Sequence, residues 1–220
     1  MNIAQVIDHT LLKPEVTEEE IRRLCDEGKR YGFASVCVNP IWVGLCADWL
    51  RGSGVKVCTV SGFPLGANKP EVKAKEAEMA IQDGADEIDM VANIGALRSG
   101  DFGWVEEDIK AVRHATGKGK ILKVIIETAV LTNEEKIRAT QIIMACGANF
   151  VKTSTGFGYN GATVEDVMLL KKVVVDKIKI KASGGIRDYN TAVELIKAGA
   201  SRIGTSSGVK IVEQSKSSEI

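Results

Sequence analysis

Two lysines in this chain stand where an apolar run breaks into a loop of small residues. One is Lys152, in Phe150-Val151-Lys152-Thr153-Ser154-Thr155-Gly156-Phe157-Gly158. The other is Lys181, in Ile178-Lys179-Ile180-Lys181-Ala182-Ser183-Gly184-Gly185-Ile186-Arg187. An ammonium in a buried strand is costly unless it is neutral or paired. Two of them close together raise that cost, and the least unfavourable arrangement is for one amine to shed its proton. A neutral amine attacks carbonyl carbon, so the pattern points to Schiff-base chemistry. Taken singly, each lysine also reads as a strand-end charge whose stem packs and whose head reaches water. Two inward lysines beside glycine-rich loops are harder to explain in that way.

Positioning such residues requires strands that end at a common face. Short apolar runs, several almost purely Val, Ile and Leu, predict strands at 6–11, 35–38, 55–60, 87–91, 121–126, 150–153, 178–182 and 201–205. Runs of this kind suit parallel strands covered on both faces. Helix starts lie between them. Thr17 with Glu20 and Thr132 with Glu135 form capping boxes, Thr163 with Asp166 is a shorter version, and Asn39-Pro40 reads as a cap followed by proline. Gly84-Ala85-Asp86, Gly147-Ala148-Asn149 and Gly199-Ala200-Ser201 repeat one helix-glycine-strand junction. Eight βα units in 220 residues predict a single-domain (β/α)8 TIM barrel spanning 1–220, with a frayed tail at 213–220. The runner-up is an open doubly wound sheet, weakened because no G-x-G-x-x-G follows the first strand.

In such a barrel, function gathers at the C-terminal strand ends. The polar residues expected there are Asp8, His9, Thr10, Cys37, Asn39, Ser61, Asp89, Lys123, Glu127, Lys152, Thr153, Thr155, Lys181 and Ser183. Asp89 serves either to neutralise a lysine or to relay a proton, and the two roles are compatible. Lys123 reads equally as a salt-bridge partner and as a member of the site. Cys37 reads as a small core residue rather than a nucleophile, and His9 as a satisfied strand histidine. The charge runs at 18–20, 69–78 and 134–136 read as solvated helix faces. The loops Ser183-Gly184-Gly185-Ile186-Arg187 and Gly204-Thr205-Ser206-Ser207-Gly208 offer unobstructed N–H groups before helix starts, a setting for an anion. Gly156 completes that cradle, and the substrate expected is a phosphorylated small carbonyl compound.

Composition closes off other classes. The 29 basic and 29 acidic residues balance, which leaves no basic excess for nucleic acid. No apolar run is long enough to span a membrane, and the first residues do not form a signal peptide. Five cysteines without metal-type spacing suit a reduced cytoplasmic chain, and two histidines argue against a catalytic zinc.

These segments, together with Ile7-Asp8-His9-Thr10-Leu11-Leu12-Lys13-Pro14, Gly84-Ala85-Asp86-Glu87-Ile88-Asp89-Met90-Val91, Leu122-Lys123-Val124-Ile125-Ile126-Glu127-Thr128 and 202–208, resemble the deoxyribose-phosphate aldolase family across almost the whole chain. The resemblance implies a metal-independent class I aldolase without cofactor. Its reaction is reversible cleavage of 2-deoxy-D-ribose 5-phosphate to D-glyceraldehyde 3-phosphate and acetaldehyde. It implies Lys152 as the Schiff-base lysine, Asp89 as the proton-relay aspartate and Lys181 as its partner. Asp8, Thr10, Cys37, Lys123, Thr153 and Thr155 are expected at the substrate. Gly156, Gly184, Gly185, Arg187, Gly204, Ser206 and Ser207 are expected at the phosphate. A homo-oligomer, dimer or tetramer, is also expected. Two departures stand out: Phe157 occupies a position that is lysine in some members, and the tail lacks a tyrosine that some members carry. A different sugar-phosphate barrel enzyme and a non-catalytic sugar-phosphate-binding regulator remain as alternatives.

Overall fold

Eight parallel strands close on themselves in sequence order, each hydrogen-bonded to the next and β8 to β1. The computed structural model describes residues 2–158 and 160–217. The strands are β1 Ile7–Leu11, β2 Ser35–Val38, β3 Lys56–Ser61, β4 Glu87–Val91, β5 Ile121–Ile125, β6 Phe150–Lys152, β7 Lys179–Ser183 and β8 Arg202–Thr205. Each lies within one residue of its expected bounds. The helices are α1 Glu18–Tyr31, α2 Val43–Trp49, α3 Pro70–Gln82, α4 Ile94–Ser99, α5 Phe102–Thr116, α6 Asn133–Ala145, α7 Val164–Val174, α8 Tyr189–Ala198 and α9 Gly208–Ser217. This is the (β/α)8 barrel.

Local chemistry sets the helix starts. Thr17 and Glu20 exchange hydrogen bonds at the head of α1, and Thr132 and Glu135 do the same at α6. Thr163 caps α7 by accepting the Asp166 N–H. Asn39 behaves differently from its expected capping role. Its side chain donates to the Leu12 carbonyl at 3.0 Å, tying the ends of β1 and β2 together, while Pro40 opens a short 3-10 turn.

The large apolar core lies outside the barrel, between strand residues such as Val36, Ile88, Leu122 and Ile203 and the inner faces of the helices. Each fully buried aliphatic side chain there contributes about 1.5–3 kcal/mol. Inside the barrel lies a much smaller apolar cluster, Leu12, Cys37, Cys58 and Val60. Charged side chains stand beside it.

Two lysines expected on solvated helix faces are buried instead. Lys73 sits on the inward stripe of α3 with Ala77 and Ala80. Its Nζ donates to Asp108 Oδ2 at 2.7 Å and to the Val91 carbonyl at 2.9 Å. Lys136 lies on the inward stripe of α6 and pairs with Asp166 at 2.7 Å. In each case the partner is distant in sequence, so the local charge pattern conceals the burial. The tail departs too: α9 runs to Ser217, with Glu213 accepting from the Tyr31 hydroxyl and Gln214 accepting from the Tyr189 N–H. The last three residues of the expected frayed tail, 218–220, lie outside the described residues.

Lys73→Met should destabilise the fold by about 3–5 kcal/mol, because it leaves the Asp108 carboxylate buried without its cation. Urea unfolding reads this as a lower midpoint. Adding Asp108→Leu should recover most of the loss. A shift below about 1 kcal/mol in the single variant would show the pair to be dispensable.

Candidate active site

Strand register brings the charged residues inward at neighbouring positions. Lys152 lies opposite Lys181, and Asp89 lies opposite Lys123. Asp89 is the hub. Its Oδ1 accepts from Lys123 Nζ at 2.7 Å, and its Oδ2 accepts from Lys152 Nζ at 2.8 Å and Lys181 Nζ at 2.7 Å. Lys181 also pairs with Asp8 Oδ2 at 2.5 Å, and Lys123 with Glu87 Oε2 at 2.6 Å. Arg202 closes the network from β8 by bonding Asp8 Oδ1 at 2.5 Å and Glu87 Oε1 at 3.2 Å. Ser35 donates to Asp8 at 2.7 Å. Asp8, Asp89, Lys123 and Lys181 are wholly buried.

The charges in this network do not cancel if every group is ionised. Asp8, Glu87 and Asp89 supply three negative charges, and Lys123, Lys152, Lys181 and Arg202 offer four positive ones. Burial works to raise the Asp89 carboxyl, but Lys123, Lys152 and Lys181 outweigh it and hold Asp89 well below the usual carboxylate range. Asp8 is held low in the same way by Lys181, Lys123 and Arg202. Burial works to lower Lys181, but Asp8 and Asp89 prevail and raise it; Lys123 is raised by Asp89 and its other anionic neighbours against the same opposition. The depressed carboxylates contribute stability that is present above about pH 4, their unfolded value, and is lost as pH falls through the folded one. The raised lysines contribute stability that is present below about pH 10.4 and is lost as pH rises through the folded value. Between those limits these groups keep their charges.

A cavity of about 350 Å³ opens above the network at the C-terminal end of the barrel. Lys152 lines it, whereas Asp8, Asp89, Lys123, Lys181 and Arg202 are not among its lining residues. Thr10, Thr155, Gly156, Gly184, Gly185, Arg187, Gly204 and Ser206 line it as the motifs predict. Cys37, Thr153 and Ser207 do not. Cys37 packs in the inner apolar cluster, Thr153 Oγ1 is engaged by β7 through the Ser183 carbonyl and N–H, and the Ser207 N–H donates to Thr205 Oγ1. Lys123 lies beneath the site as the support of Asp89. His9 is buried and bonds Glu27 at 2.7 Å.

The helix start behind Arg187 is not open to an anion. Asp188 caps α8 by accepting the Thr191 N–H at 2.9 Å, so its carboxylate already occupies that end. The exposed Arg187 makes no ion pair among the described residues. Sequence reasoning missed three features. Glu87 faces inward two residues before Asp89, a period-two signal that was available. Arg202 opens β8, where nothing local marks it as inward. Lys13 lines the cavity and places a second cation at its mouth, while Phe157 packs edge-to-face on Phe63 with ring centres 5.2 Å apart.

Two groups of donors approach a metal-like spacing, Cys37, Cys58 and Asp89, and Asp8, Cys58 and Glu87. The Lys123 ammonium already stands among them, 3.3 Å from Cys58 Sγ, 2.7 Å from Asp89 and 2.6 Å from Glu87. A metal there would meet that positive charge.

A family model described as DeoC/LacD family aldolase matches residues 2–214. The chain belongs to this family. It is 58% identical over 212 residues to the deoxyribose-phosphate aldolase of Geobacillus sp. (strain WCH70), covering 96% of this chain and 95% of that protein. It is 59% identical over 213 residues to the deoxyribose-phosphate aldolase of Streptococcus gordonii, covering 97% and 96%. Among solved structures it is similar to QR15, an aldolase, with a TM-score of 0.94 at 45% identity, covering 99% of this chain and 97% of that one. It is also similar to the tetrameric deoxyribose phosphate aldolase from Aeropyrum pernix, with a TM-score of 0.91 at 36% identity, covering 98% and 91%.

Asp89→Asn keeps the shape of the hub and removes its charge. Turnover should fall by roughly 10²-fold or more, the scale of a lost acid–base group. A variant within a few-fold of wild type would assign Asp89 a purely structural part.

Proposed function

We propose that this protein is a class I aldolase that reversibly cleaves 2-deoxy-D-ribose 5-phosphate to D-glyceraldehyde 3-phosphate and acetaldehyde. The observation that carries the mechanism is the position of Lys152. Of the four basic groups in the network, it alone lines the cavity, and Asp89 is its single ion-pair partner among the described residues. Lys123 and Lys181 each face more than one carboxylate and stay cationic. Lys152 is therefore the amine of the network with the fewest anionic partners and the one placed to meet a substrate.

The neutral Lys152 amine attacks C1 of the open-chain sugar phosphate, and loss of water gives an imine. Once protonated, the imine withdraws electrons from C2. The C3 hydroxyl gives up its proton, the C2–C3 bond breaks, and D-glyceraldehyde 3-phosphate leaves. The enamine on Lys152 then takes a proton at C2, and water releases acetaldehyde. Asp89 Oδ2 contacts both Lys152 and Lys181, which supports a relay in which this carboxylate and the Lys181 ammonium pass the proton through a water. These steps, with the protonated imine as the electron sink, call for no Lewis acid.

The phosphate would lie toward Gly156, Gly184, Gly185, Arg187, Gly204 and Ser206, remote from the bond that breaks. Its binding would therefore mainly position the substrate. Arg187 supplies an unpaired guanidinium, and Lys13 shares the mouth. A homo-oligomer is consistent with the tetrameric relative from Aeropyrum pernix. A cytoplasmic setting fits five free, buried thiols.

Lys152→Ala should abolish turnover of deoxyribose 5-phosphate without disrupting the fold, as judged by circular dichroism and urea unfolding. Retained turnover in a folded variant would remove Lys152 from the chemistry. Arg187→Ala should lower kcat/KM for deoxyribose 5-phosphate by about 1.5–3 kcal/mol, the scale of a hydrogen bond to a charged group. Plain deoxyribose should be far less affected. Equal losses on the two substrates would show that Arg187 supports the barrel rather than the phosphate.

A further inference from the structure

Six carboxylates are buried among the described residues: Asp8, Glu87, Asp89, Asp108, Asp166 and Glu127. The first five each pair with a lysine or arginine. Glu127 has no cationic partner within ion-pair distance among the described residues. Burying an uncompensated carboxylate is unfavourable, so its retention calls for a specific use.

Its surroundings identify that use. Glu127 follows β5 and holds φ 50° and ψ 67°, a left-handed backbone that glutamate adopts at a cost. On either side of it, parallel pairing to the neighbouring strand β6 continues past the end of β5. The Ile126 N–H donates to the Lys152 carbonyl at 3.1 Å, and the Thr128 N–H donates to the Thr153 carbonyl at 2.9 Å. The side chain then reaches the loop that follows Lys152. Oε2 accepts the Thr155 hydroxyl at 2.5 Å and the Thr155 N–H at 3.2 Å. Thr155 Oγ1 accepts in turn from the Phe157 N–H at 3.0 Å. Gly158 packs directly on the carboxylate: a Cβ there would stand 3.0 Å from its carbon. Oε1 is buried and accepts no hydrogen bond among the described residues. The loop at 155–158 is thus folded around this one group, and Thr155, Gly156 and Phe157 line the substrate cavity.

We infer that Glu127 is a positioning residue for substrate recognition: its carboxylate fixes the cavity-lining loop after Lys152, so that the end of the site remote from the imine is preformed. The inference rests on the reading that this loop faces the phosphate. Glu127 lines no part of the cavity and makes no hydrogen bond to Lys152. It acts through the Thr155 bonds, and the acceptor oxygen matters more than the charge.

The test measures kcat and KM for deoxyribose 5-phosphate and for deoxyribose in Glu127→Gln, Glu127→Gly, Thr155→Val and the Glu127→Gly/Thr155→Val double variant. Glutamine keeps an acceptor oxygen and should stay within about threefold of wild type on both substrates. Glycine accepts the positive φ without strain and removes the acceptor. It should raise KM for deoxyribose 5-phosphate about tenfold or more, with kcat and the use of deoxyribose changed less than about threefold. Thr155→Val should also raise KM for deoxyribose 5-phosphate, and for that KM the double variant should be no worse than the worse single one, because both changes cut the same link. Should Glu127→Gly fail to fold, Thr155→Val alone decides: an unchanged KM for the phosphorylated sugar overturns the inference. Equal losses on both substrates, glutamine as damaging as glycine, or additive losses in the double variant would also overturn it. Arg187→Ala separates this from the reading beneath it. If that variant selectively loses the phosphorylated sugar while Glu127→Gly does not, the inference alone falls. If neither changes phosphate selectivity, the phosphate reading falls with it.

Discussion

One buried carboxylate, Asp89, holds three lysines inside a barrel where aliphatic side chains usually pack. That choice dictates much of the rest. Charges withdrawn from water must be compensated within hydrogen-bonding distance, so Asp8, Glu87, Ser35 and Arg202 are drawn into the same interior. The larger apolar core is displaced outward, to the space between strands and helices, and Leu12, Cys37, Cys58 and Val60 form a much smaller cluster inside. A strand register that aligns Lys152 with Lys181 and Asp89 with Lys123 makes the contacts geometrically exact enough to be worth the desolvation.

The network is also layered along the barrel axis. Lys123 and Arg202 anchor its lower part through Glu87, Lys181 joins Asp8 to Asp89, and Lys152 stands at the top against the cavity. Lys123 and Lys181 each face more than one carboxylate beneath the cavity, whereas Lys152 faces Asp89 and lines the cavity. Above that point the site is built from loops. The β6 and β7 loops approach so closely that a Cβ on Gly161 would lie 1.9 Å from the Gly184 carbonyl oxygen, so glycine is required there. Glu127 sets the β6 loop from its other side. The helices stabilise the same rim from outside: Lys73 and Asp108 tie α3 and α5 to the Val91 carbonyl and the Asn93 N–H beyond β4.

The fold was readable because the strands are short runs, several of them almost purely Val, Ile and Leu, and three junctions carry a glycine stop signal, Gly84, Gly147 and Gly199, each with positive φ. The meeting of Asp89, Lys152 and Lys181 was readable because they are polar residues at inward positions of apolar strands. What escaped were pairings between distant segments. Lys73 and Lys136 occupy the inward stripes of otherwise polar helical turns, and their partners Asp108 and Asp166 lie 35 and 30 residues away. Arg202 meets Asp8 across 194 residues, which only barrel closure brings together. Glu127 was visible as a strand-end acid, but its role depends on a left-handed turn that no local residue type announces. The helix start after Arg187 looked like an anion site because the loop is glycine-rich; the Asp188 cap, one residue later, takes that position.

The central claim is that Asp89 distributes charge so that, among three neighbouring lysines, Lys152 is the reactive amine. Borohydride reduction in the presence of acetaldehyde, followed by peptide mapping in a mass spectrometer, tests it most directly. The account predicts one ethyl group per chain, carried by the peptide containing Lys152, with Lys123 and Lys181 unmodified. An adduct on Lys181 or Lys123, or no adduct in a protein that turns over deoxyribose 5-phosphate, would contradict it.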